Sequence, residues 1–93
     1  MYVLLIYDIP LDNKGARVSR NIFKICKKYL THVQKSVFEG ELTPGKLKQL
    51  EMELKEYIRP EIDSVVVFKS RQKKWLDKEF WGIDESHLTS NIF

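Results

Sequence analysis

An α+β sandwich is the fold class that this sequence predicts, with a four-stranded antiparallel sheet and two helices on one of its faces. Three patterns carry the expectation. Residues 2–9 form an unbroken β-favouring run, residues 14–30 and 44–58 repeat apolar side chains at helical spacing, and residues 64–70 return to a short apolar strand. Strands that alternate with helices in this order pack as one sheet with its helices on a single side.

The first strand reads Tyr2-Val3-Leu4-Leu5-Ile6-Tyr7-Asp8-Ile9 and stops at Pro10. Alternation puts Tyr2, Leu4, Ile6 and Asp8 on one face and Val3, Leu5, Tyr7 and Ile9 on the other. Asp12 and Asn13 are candidate caps for the first helix. From Lys14 to Leu30, Val18, Ile22, Ile25 and Tyr29 recur at spacings of four, three and four, and Phe23, Cys26 and Leu30 widen the stripe. Arg17, Arg20, Lys24, Lys27 and Lys28 fall mostly on the opposite face of this amphipathic helix. His32 to Leu42 reads as the second strand, with Val33, Lys35, Val37 and Glu39 on one face and Gln34, Ser36 and Phe38 on the other. Gly40 marks a bulge or bend there. Thr43-Pro44 is an N-cap followed by a first-turn proline. Leu47, Leu50, Leu54, Tyr57 and Ile58 then trace a stripe up to Pro60. Ser64 to Ser70 is the third strand. Trp75 to Ile83 is expected to contain a fourth, and the end of the chain to be an extended arm. The whole suits one ferredoxin-like domain over residues 1–93. One sheet face is left uncovered, and a two-fold homodimer is the expected way to bury it.

Composition narrows the function. A chain of 93 residues suits a single domain, and 43% apolar residues are generous for that size. Sixteen basic residues against thirteen acidic ones give a net charge of +3, too mild to indicate nucleic acid by itself. Their placement says more: one cluster lies on the first helix and a second at Lys69, Arg71, Lys73 and Lys74. The sole cysteine, Cys26, excludes a disulfide framework and a thiolate metal cage. His32 and His87 show no ligand spacing. The N-terminal run is short and carries an acid, so a signal peptide is not expected. No stretch approaches the roughly 18 apolar residues of a membrane span, and the expected location is the cytoplasm. Glycine-rich phosphate loops, His-Glu-x-x-His and nucleophile elbows are absent from the sequence.

Asp8 is the candidate for chemistry. A carboxylate that ends an apolar strand needs a partner if it is buried. Were Asp8 on the dimer face, two-fold symmetry would bring two copies together, and a divalent cation would relieve their repulsion. Oxygen ligands with room for water suit Mg²⁺ or Mn²⁺, which can activate a water and neutralise charge on a phosphodiester. The plainer alternative is that Asp8 caps the loop or the first helix. Arg17 and Arg20, with Lys24 beyond them, are either contacts to a phosphate backbone or an exposed solubilising face. Phe38 is either core or the rim of a site, and Ser36 has no His–Asp pair near it.

Tyr7-Asp8-Ile9 at the end of the first strand, the Arg-bearing helix, and Val33-Gln34-Lys35-Ser36-Val37-Phe38-Glu39-Gly40-Glu41-Leu42 together closely resemble the small CRISPR-associated adaptation protein family. This is the second of the two core spacer-acquisition proteins, often described as an endoribonuclease. The likeness spans nearly the whole chain and is weakest after about Arg71. It implies a ferredoxin-like fold and a homodimer in which a C-terminal strand, within about 71–93, pairs with the partner's sheet. It implies that Asp8 is the metal-binding and catalytic acid, one from each subunit. Tyr7, Phe38 and the helix arginines match positions tied to the nuclease site or to substrate contacts. It further implies that the dimer binds RNA or double-stranded DNA and bridges copies of the adaptation integrase. Two functions are expected on this basis: a metal-dependent endonuclease acting on RNA or DNA phosphodiesters, and a non-catalytic DNA-binding scaffold.

Overall fold

A computed structural model describes residues 1–72 and 77–84. Its elements are β1 (Tyr2–Asp8), α1 (Gly15–Tyr29), β2 (Thr31–Gln34), β3 (Val37–Glu41), α2 (Pro44–Lys55) and β4 (Ser64–Ser70). The four strands form one antiparallel sheet in the order β2-β3-β1-β4, with both helices against one face. This is the ferredoxin-like sandwich that the pattern predicts, but the fourth strand has a different source. The stretch 32–42 is a hairpin of two strands, not a single strand. It reverses at Lys35, which takes the left-handed conformation (φ 40°). His32 Nε2 donates to the Lys35 carbonyl at 2.6 Å, and the Tyr7 amide donates to the Ser36 carbonyl at 3.1 Å. A lysine gives no sequence signal for that backbone, which is why the turn was not legible. The irregularity lies between His32 and Gln34. Gly40 sits in regular strand, where a Cβ would stand 3.1 Å from Leu30 Cδ2. The strand expected within Trp75–Ile83 lies partly outside the described residues, and its described part, 77–83, is not strand.

The helices form as their sequence dictates. Thr43 Oγ1 accepts from the Lys46 amide at 3.2 Å, with Pro44 just inside the first turn. The α2 helix stops at Lys55, and its last turn tightens as the Tyr57 and Ile58 amides both donate to the Leu54 carbonyl. Lys14 occupies the N-cap of α1 with no side-chain cap of its own, and Asp12, two residues earlier, accepts from the Lys14 amide instead. Glu53 of α2 accepts from both Lys28 and Tyr29 of α1 and ties the two helices together.

The core lies between the sheet and the helices. Val3, Leu5 and Tyr7 of β1 meet Val18, Ile22, Phe23, Ile25 and Cys26 of α1 and Leu50 and Leu54 of α2. Phe38 is the hub: its ring stacks on His32 (4.8 Å) and meets Phe23 edge-on (5.3 Å). The other sheet face carries Leu4, Ile6, Val37, Val66 and Phe68, in register across β3, β1 and β4. Residues 77–83 lie over its β2–β3 side, where Lys78 pairs with Glu39. Val66 and Phe68 on β4 stay 45% and 51% exposed. No helix among the described residues is long and apolar enough to cross a membrane.

Because Phe38 is wholly enclosed, Phe38→Ala should cost about 3–5 kcal/mol of unfolding free energy. Urea titration checks this, and an unchanged midpoint would mean that Phe38 is not a packing residue.

Candidate functional site

Burial along β1 ends one residue before the acid. Tyr7 is buried, Asp8 is exposed, and Asp8 lies opposite Ser64 of β4 on the face shared with Leu4 and Ile6. The expectation of a buried carboxylate that demands a partner is therefore corrected: water solvates it. Asp8 can still take a hydrated cation. Among the described residues no three His, Cys, Asp or Glu side chains group closely enough to hold a metal. Mg²⁺, however, commonly binds through one or two carboxylates, with waters and substrate phosphate oxygens completing the shell. A lone solvent-facing aspartate fits that pattern.

Tyr7 and Phe38 come together, but away from Asp8. Their rings stack at 6.2 Å on the helix-facing side of the sheet, opposite the Asp8 face. Burial pushes the Tyr7 hydroxyl up to about 12, against a smaller lowering from its hydrogen bond with Ser19. It stays protonated at neutral pH. Phe38 has no polar atom and no exposure. Both lie inside the core, on the sheet face opposite Asp8, and support the strand that carries it.

Arg17, Arg20 and Lys24 are exposed on α1. Together with Lys27 they have spacings of three, four and three, which aligns them along one helix face. Arg20, Lys24 and Lys27 line a shallow cavity of about 330 Å³ whose floor includes Phe23. Lys27 Nζ lies 5.9 Å from the centre of that ring. Phosphate groups suit such a row, because guanidinium forks and ammonium groups pair with them. Of the second basic cluster, Lys69 and Arg71 are exposed, and Lys73 and Lys74 lie outside the described residues.

The loop between Asp8 and α1 is shaped by features that no local sequence pattern announces. A Cβ on Gly15 would meet the Pro10 carbonyl oxygen at 1.9 Å, so only glycine lets the chain turn there. Arg59, before β4, grips Asp12 with Nη1 (2.7 and 2.9 Å) and Asp63 with Nε and Nη2 (3.0 and 2.8 Å). The Arg59 amide also donates to Asp63 at 2.9 Å, and Asp12 accepts from the Lys14 amide at 3.1 Å. These contacts hold both carboxyls below their usual range. The four-residue spacing of Arg59 and Asp63 was the visible hint, whereas the link to Asp12, 47 positions away, had none.

Known proteins resemble this chain in both fold and sequence. The family described as "CRISPR associated protein Cas2" matches residues 1–78. The chain belongs to the Cas2 family. It is 52% identical over 85 residues to "CRISPR-associated endoribonuclease Cas2" of Fusobacterium nucleatum, covering 91% of this chain and 80% of that one. The Methanosarcina acetivorans protein of the same name is 36% identical over 92 residues, 99% of each chain. A solved structure titled "Crystal structure of cas2" superposes with a TM-score of 0.80 at 36% identity, covering 92% of this chain and 91% of that one. Streptococcus pyogenes Cas2 at pH 6.5 gives 0.73 at 26% identity, with 86% and 100% covered. Cas2 membership carries the CRISPR association, and endonuclease activity is the activity for which these curated relatives are named.

The loop sets two expected outcomes. Gly15→Ala should destabilise by about 1–3 kcal/mol through overpacking against Pro10, read as a lowered melting temperature. The Arg59 contacts should also set an acid limit. With folded carboxyls below the ordinary 3.8, their stabilisation is complete above that value and is lost as pH falls through the lower folded values. The stability gap between wild type and Arg59→Ala, measured by urea titration, should therefore be largest at neutral pH and close in strong acid.

Proposed function

We propose that this Cas2 chain is a homodimeric, Mg²⁺- or Mn²⁺-dependent endonuclease of CRISPR adaptation. It would cut RNA or DNA phosphodiesters at Asp8 and hold the backbone with Arg17, Arg20 and Lys24. One observation carries the reading: a solvent-facing carboxylate ends the central strand, and the next helix presents an aligned row of cations. RNA is favoured as substrate by the endoribonuclease names of the curated relatives.

The half-exposed Val66 and Phe68 beside Leu4 and Ile6 support a two-fold dimer through the open sheet face. Asp8 shares that face, so a second copy would bring a second carboxylate and complete a two-carboxylate cation site. A bound Mg²⁺ would supply Lewis-acid stabilisation of the phosphate and an activated water. Asp8 would hold the cation; Arg17 and Arg20, on the helix packed against the other sheet face, would bind phosphates farther along the backbone; the buried Tyr7 keeps Asp8 pointed outward by filling the opposite face. The work takes place in the cytoplasm.

A second reading rests on a separate observation. The row from Arg17 to Lys27 needs no Asp8 to bind a duplex, so the dimer also suits a scaffold that holds DNA and bridges the adaptation integrase.

Labelled RNA and duplex DNA, incubated with Mg²⁺, Mn²⁺ or EDTA, separate the two. Asp8→Asn and EDTA should each lower cleavage by about 100-fold or more, the loss expected when several kcal/mol of charge stabilisation disappears. Wild-type cleavage by Asp8→Asn would leave only the scaffold. Binding should weaken with salt at a log–log slope of about −2 to −3 for each protomer whose three cations engage the backbone, and each Arg→Ala change should reduce that contribution by about one per engaged protomer. Strong dependence on base sequence would contradict a backbone-only grip.

A further inference from the structure

We infer that Arg59 is a positioning residue for Asp8, acting as a two-armed tie on the chain segments that flank it. This rests on the reading of Asp8 as the catalytic carboxylate.

The loop after β1 has few apolar anchors. Ile9 packs against the core, but Leu11 is 91% exposed, and Asn13 and Lys14 are exposed as well. Apolar burial therefore does little to fix the loop beyond Ile9. Arg59 supplies what burial does not. One arm of its guanidinium holds Asp12, four residues past Asp8 on the same chain segment. The other holds Asp63, which immediately precedes Ser64, the residue opposite Asp8 in the β1–β4 register. Exit from Asp8 and entry to its partner strand are thus joined through one planar group. The Asp63 side chain is fully enclosed and that of Arg59 is 20% exposed, so this is not a loose surface pair.

Charge gives the arrangement a second consequence. Without Arg59, two further carboxylates would stand uncompensated near Asp8, where an anionic backbone must approach. With it, the group of three carries a single negative charge. A lysine would preserve that balance but not the fork, because an ammonium cannot hold both carboxylates in one plane.

Steady-state cleavage by the full chain tests the inference, at a temperature where circular dichroism shows each variant folded. Arg59→Ala should lower kcat by about 10- to 100-fold, the scale of a small misplacement of a catalytic group, with KM within about twofold. Arg59→Lys should fall between it and wild type. Asp12→Asn, which releases only the loop arm, should shift kcat in the same direction and guards against failure of Arg59→Ala to fold. Hydrogen exchange gives a readout independent of cleavage. The Gly15 amide, which donates to the Asp12 carbonyl at 3.1 Å, should exchange faster in Arg59→Ala, while the Leu5 and Ile22 amides should not change. Wild-type kcat per folded molecule in Arg59→Ala or Asp12→Asn, or unchanged Gly15 exchange, overturns the positioning role alone. Wild-type cleavage by Asp8→Asn overturns the reading beneath it.

Discussion

The register of β1 is the constraint on which the rest depends. It is the central strand, paired with β3 on one side and β4 on the other, and its side chains alternate between a packed face and an open one. A slip of one residue would drive Asp8 into the core and expel Tyr7. The Phe38 cluster opposes such a slip. Tyr7 stacks on Phe38, which is packed in turn by Phe23 and His32, so the ring of Tyr7 has one place to go. Tyr7 and Phe38, which the family resemblance ties to the nuclease site, are thus among the residues that keep Asp8 outside.

Ion pairs in this molecule differ in what they do. Glu51 pairs with Lys48 and Lys55 along the exposed side of α2, three and four residues away. Such pairs are solvated at both ends and add little to stability. The Arg59 group differs in geometry and in sequence span. It joins the loop after β1 to the turn before β4, through a rigid fork and an enclosed carboxylate. Desolvation makes such a group costly to break on one side, since each remaining charge would lose its partner.

Most of the scaffold was legible because its signals are local and repeated. The spacing of Val18, Ile22 and Ile25 placed α1 to within a residue at each end, Thr43-Pro44 placed the start of α2, and Ser64–Ser70 matched its strand in full. The hairpin was not legible, because its reversal rests on a lysine with positive φ rather than on glycine or asparagine. The same limit divides the candidate site. Asp8 could be read from its place at the end of an apolar run, and the basic helix face from its period. Whether Asp8 was buried could not, since a run apolar on both faces does not reveal which side stays open. The Arg59–Asp12 contact was invisible for a different reason: it is tertiary, and neither residue has a periodic neighbour that announces it.

The two charged parts of the surface also explain each other. A row of cations alone attracts any polyanion, and a lone carboxylate alone repels one. In the proposed enzyme, the two would separate the tasks: the helix would draw the backbone in, and the strand end would offer an acid that a cation must bridge before phosphate could approach it. A metal held by Asp8 would thus reconcile like charges as well as activate water. That requirement favours a site open to solvent, where the ion can enter hydrated and exchange waters for phosphate oxygens, over the buried carboxylate that the strand pattern first suggests. The exposure of Asp8 is then a property that such chemistry would need, and the tight packing of Tyr7 beneath it is what secures that exposure.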